Sequence, residues 1–137
     1  MKFEYVHPDN LYPVWEYVRD GLLIIKTKSP EIWIPEDIYW QLKQGVSALY
    51  MAIHKDVEGF AILQPNNGWG GKEVNVFCAY SRNPQVVEFC LDEIKKIAKG
   101  IGAKRLVFES KRAGWEKRAL ELGYVKLHTR YGLELGD

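Results

Sequence analysis

Cysteine and histidine are scarce in this sequence. It contains two cysteines, Cys78 and Cys90, and three histidines. The cysteines are twelve positions apart, and neither forms the close pair with another cysteine or a histidine that a zinc site requires. The sequence therefore predicts two buried thiols and no metal site.

Long apolar runs and a net charge are also lacking. The longest aliphatic run, Leu22 to Ile25, is far shorter than the ~20 residues of a membrane-spanning helix. The N-terminal stretch MKFEYVHPDN does not have the charged and apolar regions of a signal peptide. The formal net charge is +1, so no overall field attracts nucleic acid. We expect a cytoplasmic location, with neither a membrane nor nucleic acid as a partner.

The composition that is present is typical of a globular protein. Of the 137 residues, 47% are hydrophobic and 27% are charged. No repeat or low-complexity segment interrupts the chain. A chain of this length can bury a sizeable core, and we expect one domain over residues 1–137.

The N-terminal half predicts a strand, two helices and a strand meander. KFEYV alternates apolar and polar residues and ends before Pro8, which predicts a strand. Asp9 or Asn10 caps a helix with apolar residues at helical spacing, and Gly21 weakens its second half. IPEDIYWQLKQG predicts the second helix, which Gly45 ends. The strands SALYMAI, FAILQ and EVNVFCAY follow, joined by glycine-containing turns.

The C-terminal half predicts helices alternating with strands. Asn83 as N-cap and Pro84 in the first turn begin a helix over residues 84–99. The strand AKRLVFES follows, then the helix AGWEKRALEL, which Gly123 closes. YVKLHTRYGLEL then predicts one or two strands.

The order β-α-α-β-β-β-α-β-α-β indicates an α/β fold with a mixed sheet and helices on both faces. The helix at 84–99 is a crossover, so the strands at 73–80 and 104–109 should be parallel neighbours. Their carboxyl ends and the start of that helix then meet at one edge of the sheet. Open α/β sheets bind their ligands at such an edge.

The element order and the C-terminal half resemble the GCN5-related N-acetyltransferase (GNAT) superfamily. The resemblance rests on KGIGAKRLVFES, on GWEKRALELGY and on the Gly-Tyr of LELGYVKL, which precedes a closing strand. The short chain, FESKRAGWEKRALELGY and IWIPEDIYWQLKQGVSALYMAI are further similar to small acetyltransferase-like proteins of tailed bacteriophages, some of them virion proteins. Such proteins can keep the fold without the chemistry.

The resemblance implies acetyl-CoA as cofactor, with its pantetheine arm along the fourth strand and its pyrophosphate at the start of the next helix. In the superfamily, glycines of an Arg/Gln-x-x-Gly-x-Gly/Ala motif let backbone N–H groups approach the phosphates. This sequence lacks the glycines. The matching positions are Pro84, Gln85, Val86 and Val87.

Polar side chains near this junction offer other contacts for a phosphate. Ser81, Arg82 and Asn83 lie there, and a guanidinium suits phosphate well. The alternative is that Asn83 only caps the helix and Arg82 is solvated. The cofactor-binding residues that we predict are Phe77, Cys78, Ala79, Tyr80, Ser81, Arg82, Asn83, Gln85 and Val86.

The catalytic groups are less clearly marked. The resemblance implies that a backbone N–H of the fourth strand polarises the thioester and that a tyrosine protonates the thiolate. The tyrosine position is Ala119 here. Glu73 is the candidate base, and Tyr80 and Ser110 are candidate acids. Each also has a structural interpretation: Glu73 as a solvated strand end, Tyr80 as a rim residue and Ser110 as a helix cap.

Two functions therefore remain open. One is an acetyl-CoA-dependent N-acyltransferase with a diverged cofactor loop, whose acceptor is an amine on a small molecule or a protein. The other is a non-catalytic protein of the same fold that binds virion proteins, located in the host cytoplasm or the virion. Either can form a homo-oligomer.

Overall fold

The computed structural model describes residues 1–111 and 114–136. Ten elements follow one another along them. They are β1 (Lys2–Val6), a 3-10 turn (Pro8–Asn10), α1 (Leu11–Lys28), α2 (Pro35–Lys43), β2 (Ala48–His54), β3 (Asp56–Gly68), β4 (Gly71–Ser81), α3 (Gln85–Gly100), β5 (Arg105–Val107) and α4 (Trp115–Glu121).

The strands form one mixed sheet in the order β1-β2-β3-β4-β5. The first four strands are antiparallel neighbours, as expected for a meander. β4 and β5 are parallel, and α3 is the crossover between them. The predicted fold class and the predicted parallel pair are confirmed.

Helices cover the two faces of the sheet with separate cores. On one face, α1 and α2 pack their apolar sides on β2 and β3. On the other face, α3 packs Ile94 and Ala98 on residues of β3 and β4, among them Val74. The amphipathic spacing in α1 and α3 is what places one side of each helix against the sheet.

Gly21 does not interrupt α1, in contrast to the prediction. The helix continues over Leu11–Lys28, and Gly21 is buried within it. A Cβ at this position would lie 2.5 Å from Cε1 of Phe60 and 3.0 Å from Cδ1 of Tyr80. The missing side chain therefore lets α1 approach the sheet closely, and this packing offsets the low helix propensity of glycine.

The closing strand that we predict over YVKLHTRYGLEL is not formed. Residues 124–136 are described and contain neither strand nor helix. β5 is also shorter than the predicted AKRLVFES, and it is an edge strand of the sheet. A strand needs a neighbour to satisfy its backbone hydrogen bonds, so the prediction from pattern alone was wrong here.

Other boundaries differ by a few residues. The turn predicted over HKDVEG is mostly strand, because Lys55 alone reverses the chain with a left-handed φ of 66°. Of the predicted fourth helix, Ala113 lies outside the described residues, and α4 begins at Trp115. In the described part of the chain, no helix is long and apolar enough to cross a bilayer.

Candidate functional site

The pairing between the strands β4 and β5 stops after a short stretch. Their register runs from Glu73 opposite Arg105 to Asn75 opposite Val107, and there β5 ends. β4 continues to Ser81, paired with β3 on its other side. In the described part of the chain, no strand pairs with residues 76–81 on the β5 side. Backbone groups on that edge of β4 are therefore available to a ligand.

A β-bulge at Phe77 bends β4 at the start of this edge. Val76 pairs with Leu63 and Cys78 with Ile62, so Phe77 is the extra residue. Val76 packs in the core beneath α3, whereas Cys78 packs in the core beneath α1 and α2. The bulge thus moves the following side chains to the opposite face of the sheet.

The loop between α1 and α2 lies over the bulge. The Trp33 ring is 6.0 Å from the Phe77 ring, centroid to centroid. Burial raises the pKa of the Cys78 thiol, and the nearby Glu31 carboxylate raises it further. Oε1 of Glu31 accepts a hydrogen bond of 2.9 Å from the Ser29 hydroxyl. An acidic side chain is therefore fixed beside the open part of β4.

Lys111, which follows β5, connects the far side of the gap to this loop. Its Nζ donates a hydrogen bond of 3.3 Å to the Pro30 carbonyl and lies 4.0 Å from Oε2 of Glu31. The gap between β4 and β5 is thus bounded by β4, by the α1–α2 loop and by the segment after β5. It combines one carboxylate, one ammonium group and an open backbone edge.

The start of α3 lies at the exit of β4, and its N–H groups already have acceptors. The Asn83 N–H donates to the Ser81 hydroxyl at 3.0 Å, and the Gln85 N–H donates to Oδ1 of Asn83 at 3.0 Å. The N–H groups of Val86 and Val87 donate to backbone carbonyls at 3.0 and 3.2 Å. Pro84 has no N–H. The helix start is therefore capped by its own chain.

Arg82 and Tyr80 form a pair at the same exit. Nε of Arg82 donates a hydrogen bond of 3.2 Å to the Tyr80 hydroxyl, and the Arg82 side chain is exposed. The Tyr80 ring packs on Phe60 at 5.7 Å, on the face that α1 covers. Burial raises the pKa of the adjacent Tyr17, and Tyr80 adds to the shift. Tyr80 is thus held as a rim residue with its hydroxyl toward Arg82.

The structure does not bring the three predicted catalytic residues together. Glu73 lies in the paired part of β4, where Oε2 is 3.3 Å from Nε of Arg105. Tyr80 is seven residues further along the strand, a backbone separation of ~23 Å at ~3.3 Å per residue. Ser110 is an exposed residue after β5, on the same side of the gap as Lys111. The Glu73 carboxylate therefore forms an ion pair between β4 and β5.

The predicted cofactor residues lie on the open part of β4, in the turn after it and at the start of α3. Phe77 and Cys78 are half-buried and pack against the core under α1 and α2, and Val86 is buried. Ala79 is exposed and leaves space beside the strand. The remaining predicted residues are at the rim. They are Tyr80, Ser81, Arg82, Asn83 and Gln85.

Sequence reasoning missed two features of this region. Glu31 and Lys111 are in loops, and no spacing in the sequence indicates that they meet. A half-buried amide network was also missed, in which Nε2 of Gln64 donates to Gln41 at 3.2 Å and Nδ2 of Asn75 donates to Gln64 at 3.2 Å. Asn75 is the last residue of β4 that pairs with β5, so this network reaches the end of the paired stretch.

Within the described part of the chain, the thiols and the acidic groups show no metal-binding arrangement. Cys78 and Cys90 are both free thiols. Burial raises the pKa of Cys90 from 9.0 to about 11. Over residues 1–111 and 114–136, no three His, Cys, Asp or Glu side chains are grouped closely enough to hold a metal ion.

Solved structures of acetyltransferases share this architecture. A probable acetyltransferase superposes with a TM-score of 0.74 at 16% identity, covering 100% of this chain and 99% of that chain. A ribosomal-protein-alanine N-acetyltransferase of Brucella melitensis gives 0.76 at 12% identity, with 98% and 100% coverage. A predicted acetyltransferase of Clostridium acetobutylicum with acetyl-CoA gives 0.73 at 13% identity, with 98% and 96% coverage.

The similarity lies in structure rather than in sequence. No protein-family model matches the sequence, and no curated protein matches it. Identities of this size establish the fold alone. From the sheet order, the parallel pair of β4 and β5 and the superpositions, the chain has the GNAT acyltransferase fold.

Proposed function

We propose that the protein binds an acyl-CoA thioester in the gap between β4 and β5 and transfers the acyl group to an amine. The observation that carries this proposal is the open edge of β4 after Asn75, bent at Phe77 and ending beside the start of α3. An extended pantetheine arm can hydrogen-bond to such an edge as an added strand does. Ala79 leaves space for it.

The backbone of β4 supplies the electrostatic part of the reaction. Alternate residues of a strand direct their N–H groups away from the neighbour with which they pair. In residues 77–80, an N–H that points away from β3 can donate to the thioester carbonyl oxygen. Negative charge develops on that oxygen when the amine attacks, so a fixed donor stabilises the transition state.

The overall step exchanges one bond to the acyl carbon for another. The neutral amine attacks the thioester carbonyl carbon, the new C–N bond forms and the C–S bond breaks. The amine loses one proton, and the departing thiolate gains one. No oxidant, reductant or metal takes part in this balance.

We propose Glu31 as the group that receives the amine proton, in place of Glu73. Glu31 lies beside Cys78 on the open part of β4, with Nζ of Lys111 4.0 Å from its Oε2. Glu73 instead lies in the paired part of β4, with Nε of Arg105 at 3.3 Å. Its carboxylate also attracts a cationic acceptor before deprotonation. The proton for the thiolate comes from Tyr80 or Ser110, which lie beyond the bulge and beyond β5.

The nucleotide end of acetyl-CoA fits less well than the pantetheine arm. The N–H groups at the start of α3 already donate within the chain, so they offer little to a pyrophosphate. Arg82 is an exposed cationic side chain at this exit, and the first turn of α3 also carries the acidic Glu88. We propose that Arg82 contacts a phosphate and that Ser81, Asn83 and Gln85 line its path.

Isothermal titration calorimetry with acetyl-CoA, followed by an acetylation assay on a panel of small amines and peptide N-termini, tests the proposal. We expect binding in which Arg82→Ala weakens the affinity by about two- to fivefold, the contribution of an exposed ion pair. We expect Glu31→Gln to lower the acetylation rate by ~10²-fold or more, within the usual contribution of a general base. Glu16→Gln, an exposed acid on α1, is the matched control and should leave the rate unchanged.

The absence of any binding heat at millimolar acetyl-CoA would refute the proposal. A normal rate in Glu31→Gln would refute only the role of Glu31. These two results are distinguishable because the first measures binding and the second measures chemistry.

The capped start of α3 supports a second candidate, a non-catalytic binding module of the same fold. Every N–H from Asn83 to Val87 that exists has an acceptor in the chain, as in a helix that holds no phosphate. Such a protein would associate with virion or assembly proteins. Purified phage particles would then contain it, and acetyl-CoA would leave its melting temperature unchanged.

A further inference from the structure

The turn between β3 and β4 carries a tryptophan at its apex. Gly68 pairs with Gly71, so Trp69 and Gly70 alone form the turn. The Trp69 side chain is fully exposed to solvent. Because the residues around it in the turn are glycines, the turn itself places no side chain over either face of the indole. A large amphipathic ring in this position is typical of an interface rather than of a core.

Basic side chains lie directly behind this turn. A Cβ at Gly70 would lie 2.8 Å from Nη2 of Arg105, and a Cβ at Gly71 would lie 3.1 Å from Cδ of Lys104. The glycines therefore let both basic side chains lie close against the turn. Lys72 is the next residue of β4, and its carbonyl accepts a hydrogen bond of 2.8 Å from the Lys104 N–H. Three cations thus lie within a few residues of the tryptophan.

The end of α3 adds a fourth cation and a second apolar side chain. Nζ of Lys72 donates to the Ile101 carbonyl at 3.1 Å, which ties the turn to the end of α3. Ile101 is 42% exposed, and Lys99 in the last turn of α3 is exposed as well. The Glu73 carboxylate, 3.3 Å from Nε of Arg105, offsets one positive charge. The net charge of +1 for the whole chain does not reveal this local excess.

We propose that this end of the molecule docks on the surface of an anionic lipid bilayer. We call it the hairpin end, and it consists of residues 68–72 with Lys99, Ile101, Lys104 and Arg105. Trp69 enters the boundary between headgroups and acyl chains, where tryptophan is enriched in membrane proteins. The cations contact the anionic headgroups, and each of them favours binding to an anionic leaflet. The proposal replaces our expectation from the whole-chain charge that no membrane is a partner.

The arrangement favours a bilayer over single-stranded nucleic acid, whose phosphates would also attract the cations. Proteins that bind single strands stack successive bases on several aromatic side chains along a basic groove. The turn instead presents one indole at a protruding apex. The second exposed apolar side chain, Ile101, is aliphatic and suits acyl chains rather than bases. One inserted ring with cations behind it matches the order of layers in a bilayer interface.

The hairpin end is at the opposite end of β4 from the candidate acyl-CoA site. β4 begins at Gly71 and ends at Ser81, beside the start of α3. Docking through Trp69 therefore leaves the gap between β4 and β5 accessible from solvent. The proposal does not depend on the proposed acyltransferase function.

Cosedimentation with lipid vesicles at ~0.1 M salt tests the proposal. We expect the native chain to bind phosphatidylcholine vesicles that contain ~30% phosphatidylserine, and to bind pure phosphatidylcholine vesicles about tenfold more weakly or less. Trp69→Ala should lower the partition coefficient by about tenfold, because the indole no longer enters the interface. K72E/K104E should lower it by about a hundredfold or more, because two attractions become repulsions.

Two matched variants change exposed residues far from the hairpin end. Ile32→Ala removes an exposed apolar side chain from the α1–α2 loop, and Lys28→Glu reverses an exposed cation at the end of α1. This loop lies over Phe77, ~20 Å along β4 from Gly71. Charges at that distance are largely screened, so both variants should change vesicle binding by less than about twofold.

Three results would overturn the proposal. The native chain might not bind phosphatidylserine vesicles, or Trp69→Ala might bind them as well as the native chain does. The third result is displacement of the native chain from vesicles by micromolar oligodeoxythymidylate, which would assign the hairpin end to nucleic acid.

Fluorescence quenching by lipids brominated on their acyl chains measures the insertion of Trp69 directly. Such lipids quench an indole that reaches the acyl boundary. The native chain and Trp69→Ala share the other tryptophans, so the difference in quenching between them reports Trp69 alone. We expect strong quenching in the native chain and little in the variant. Equal quenching in both would mean that another tryptophan faces the bilayer, and it would refute the proposal.

Discussion

S-acetyl-pantetheine, which lacks the nucleotide of acetyl-CoA, should bind this protein only about tenfold more weakly than acetyl-CoA does. The reason is the start of α3, where Asn83, Gln85, Val86 and Val87 donate their N–H groups within the chain and Pro84 has none. The pantetheine arm retains the whole open edge of β4. Most of the binding free energy should therefore come from the part that both ligands share.

The expected difference can be worked out from the donors that remain. A loop that gives two N–H groups to a pyrophosphate gains ~1.5 to 3 kcal/mol from each charged hydrogen bond, or ~10² to 10⁴-fold in affinity. Here an exposed Arg82 and the partial charge of the helix end remain. The helix end contributes ~0.3 to 1 kcal/mol, and an exposed ion pair contributes a similar amount. We expect acetyl-CoA to bind about tenfold more tightly than S-acetyl-pantetheine.

Calorimetric titrations of both ligands at one ionic strength measure this ratio. A preference for acetyl-CoA of several hundredfold would refute the reasoning, because it would require a phosphate cradle that the capped helix does not offer. The double variant N83G/P84G provides the reverse test. It releases the Gln85 N–H and adds one at position 84, so acetyl-CoA affinity should rise while S-acetyl-pantetheine affinity stays the same.

Other outcomes follow from the packing and the ionisation of named residues. Gly21→Ala should destabilise the protein by ~1 to 3 kcal/mol in urea unfolding, because its methyl group meets the buried Phe60 ring; unchanged stability would show that α1 can shift. Trp69→Ala should change stability by less than ~0.5 kcal/mol, since Trp69 is fully exposed at the β3–β4 turn; a larger loss would mean that the indole packs on the sheet. The pKa of Cys90 rises from 9.0 to about 11 on folding, so stability is retained below pH 9 and falls as the pH rises from 9 to 11. Cys90→Ala should flatten that decline in thermal unfolding, and an identical decline in the variant would exclude this thiol as its cause.

The sequence predicts most of the fold because its element boundaries are marked by local chemistry. Asn83 and Pro84 mark the start of α3, and the alternation in KFEYV marks β1. The structure contains both elements. The parallel pair follows from the handedness and length of one crossover. Such signals act within a few residues, so one sequence is enough to read them.

The errors arise where a long-range contact decides the structure. Gly21 would weaken an isolated helix, but the close approach of Phe60 makes it the residue that fits. The segment 124–135 has the pattern of a strand, but pattern does not supply a neighbour. In each case the deciding partner is far away in the sequence.

The candidate site was predictable in position but not in its side chains. The parallel pair of β4 and β5 and the start of α3 after β4 follow from topology, and the structure has both. The open edge of β4 does not follow from the sequence. The meeting of Glu31, Cys78 and Lys111 depends on how two loops fold toward each other. The spacing of residues in the chain carries no information on such a meeting.

The bulge at Phe77 has a consequence for how the protein unfolds. Before the bulge, Val74 and Val76 pack in the core under α3. After it, Cys78 and Tyr80 pack in the core under α1 and α2, so β4 contributes side chains to both cores. If either core unfolds and β4 leaves it, the other core loses the side chains that β4 contributes. The two cores should therefore melt as one cooperative unit, and a single-residue deletion at position 77 should disturb both at once by turning every later side chain of the strand to the wrong face.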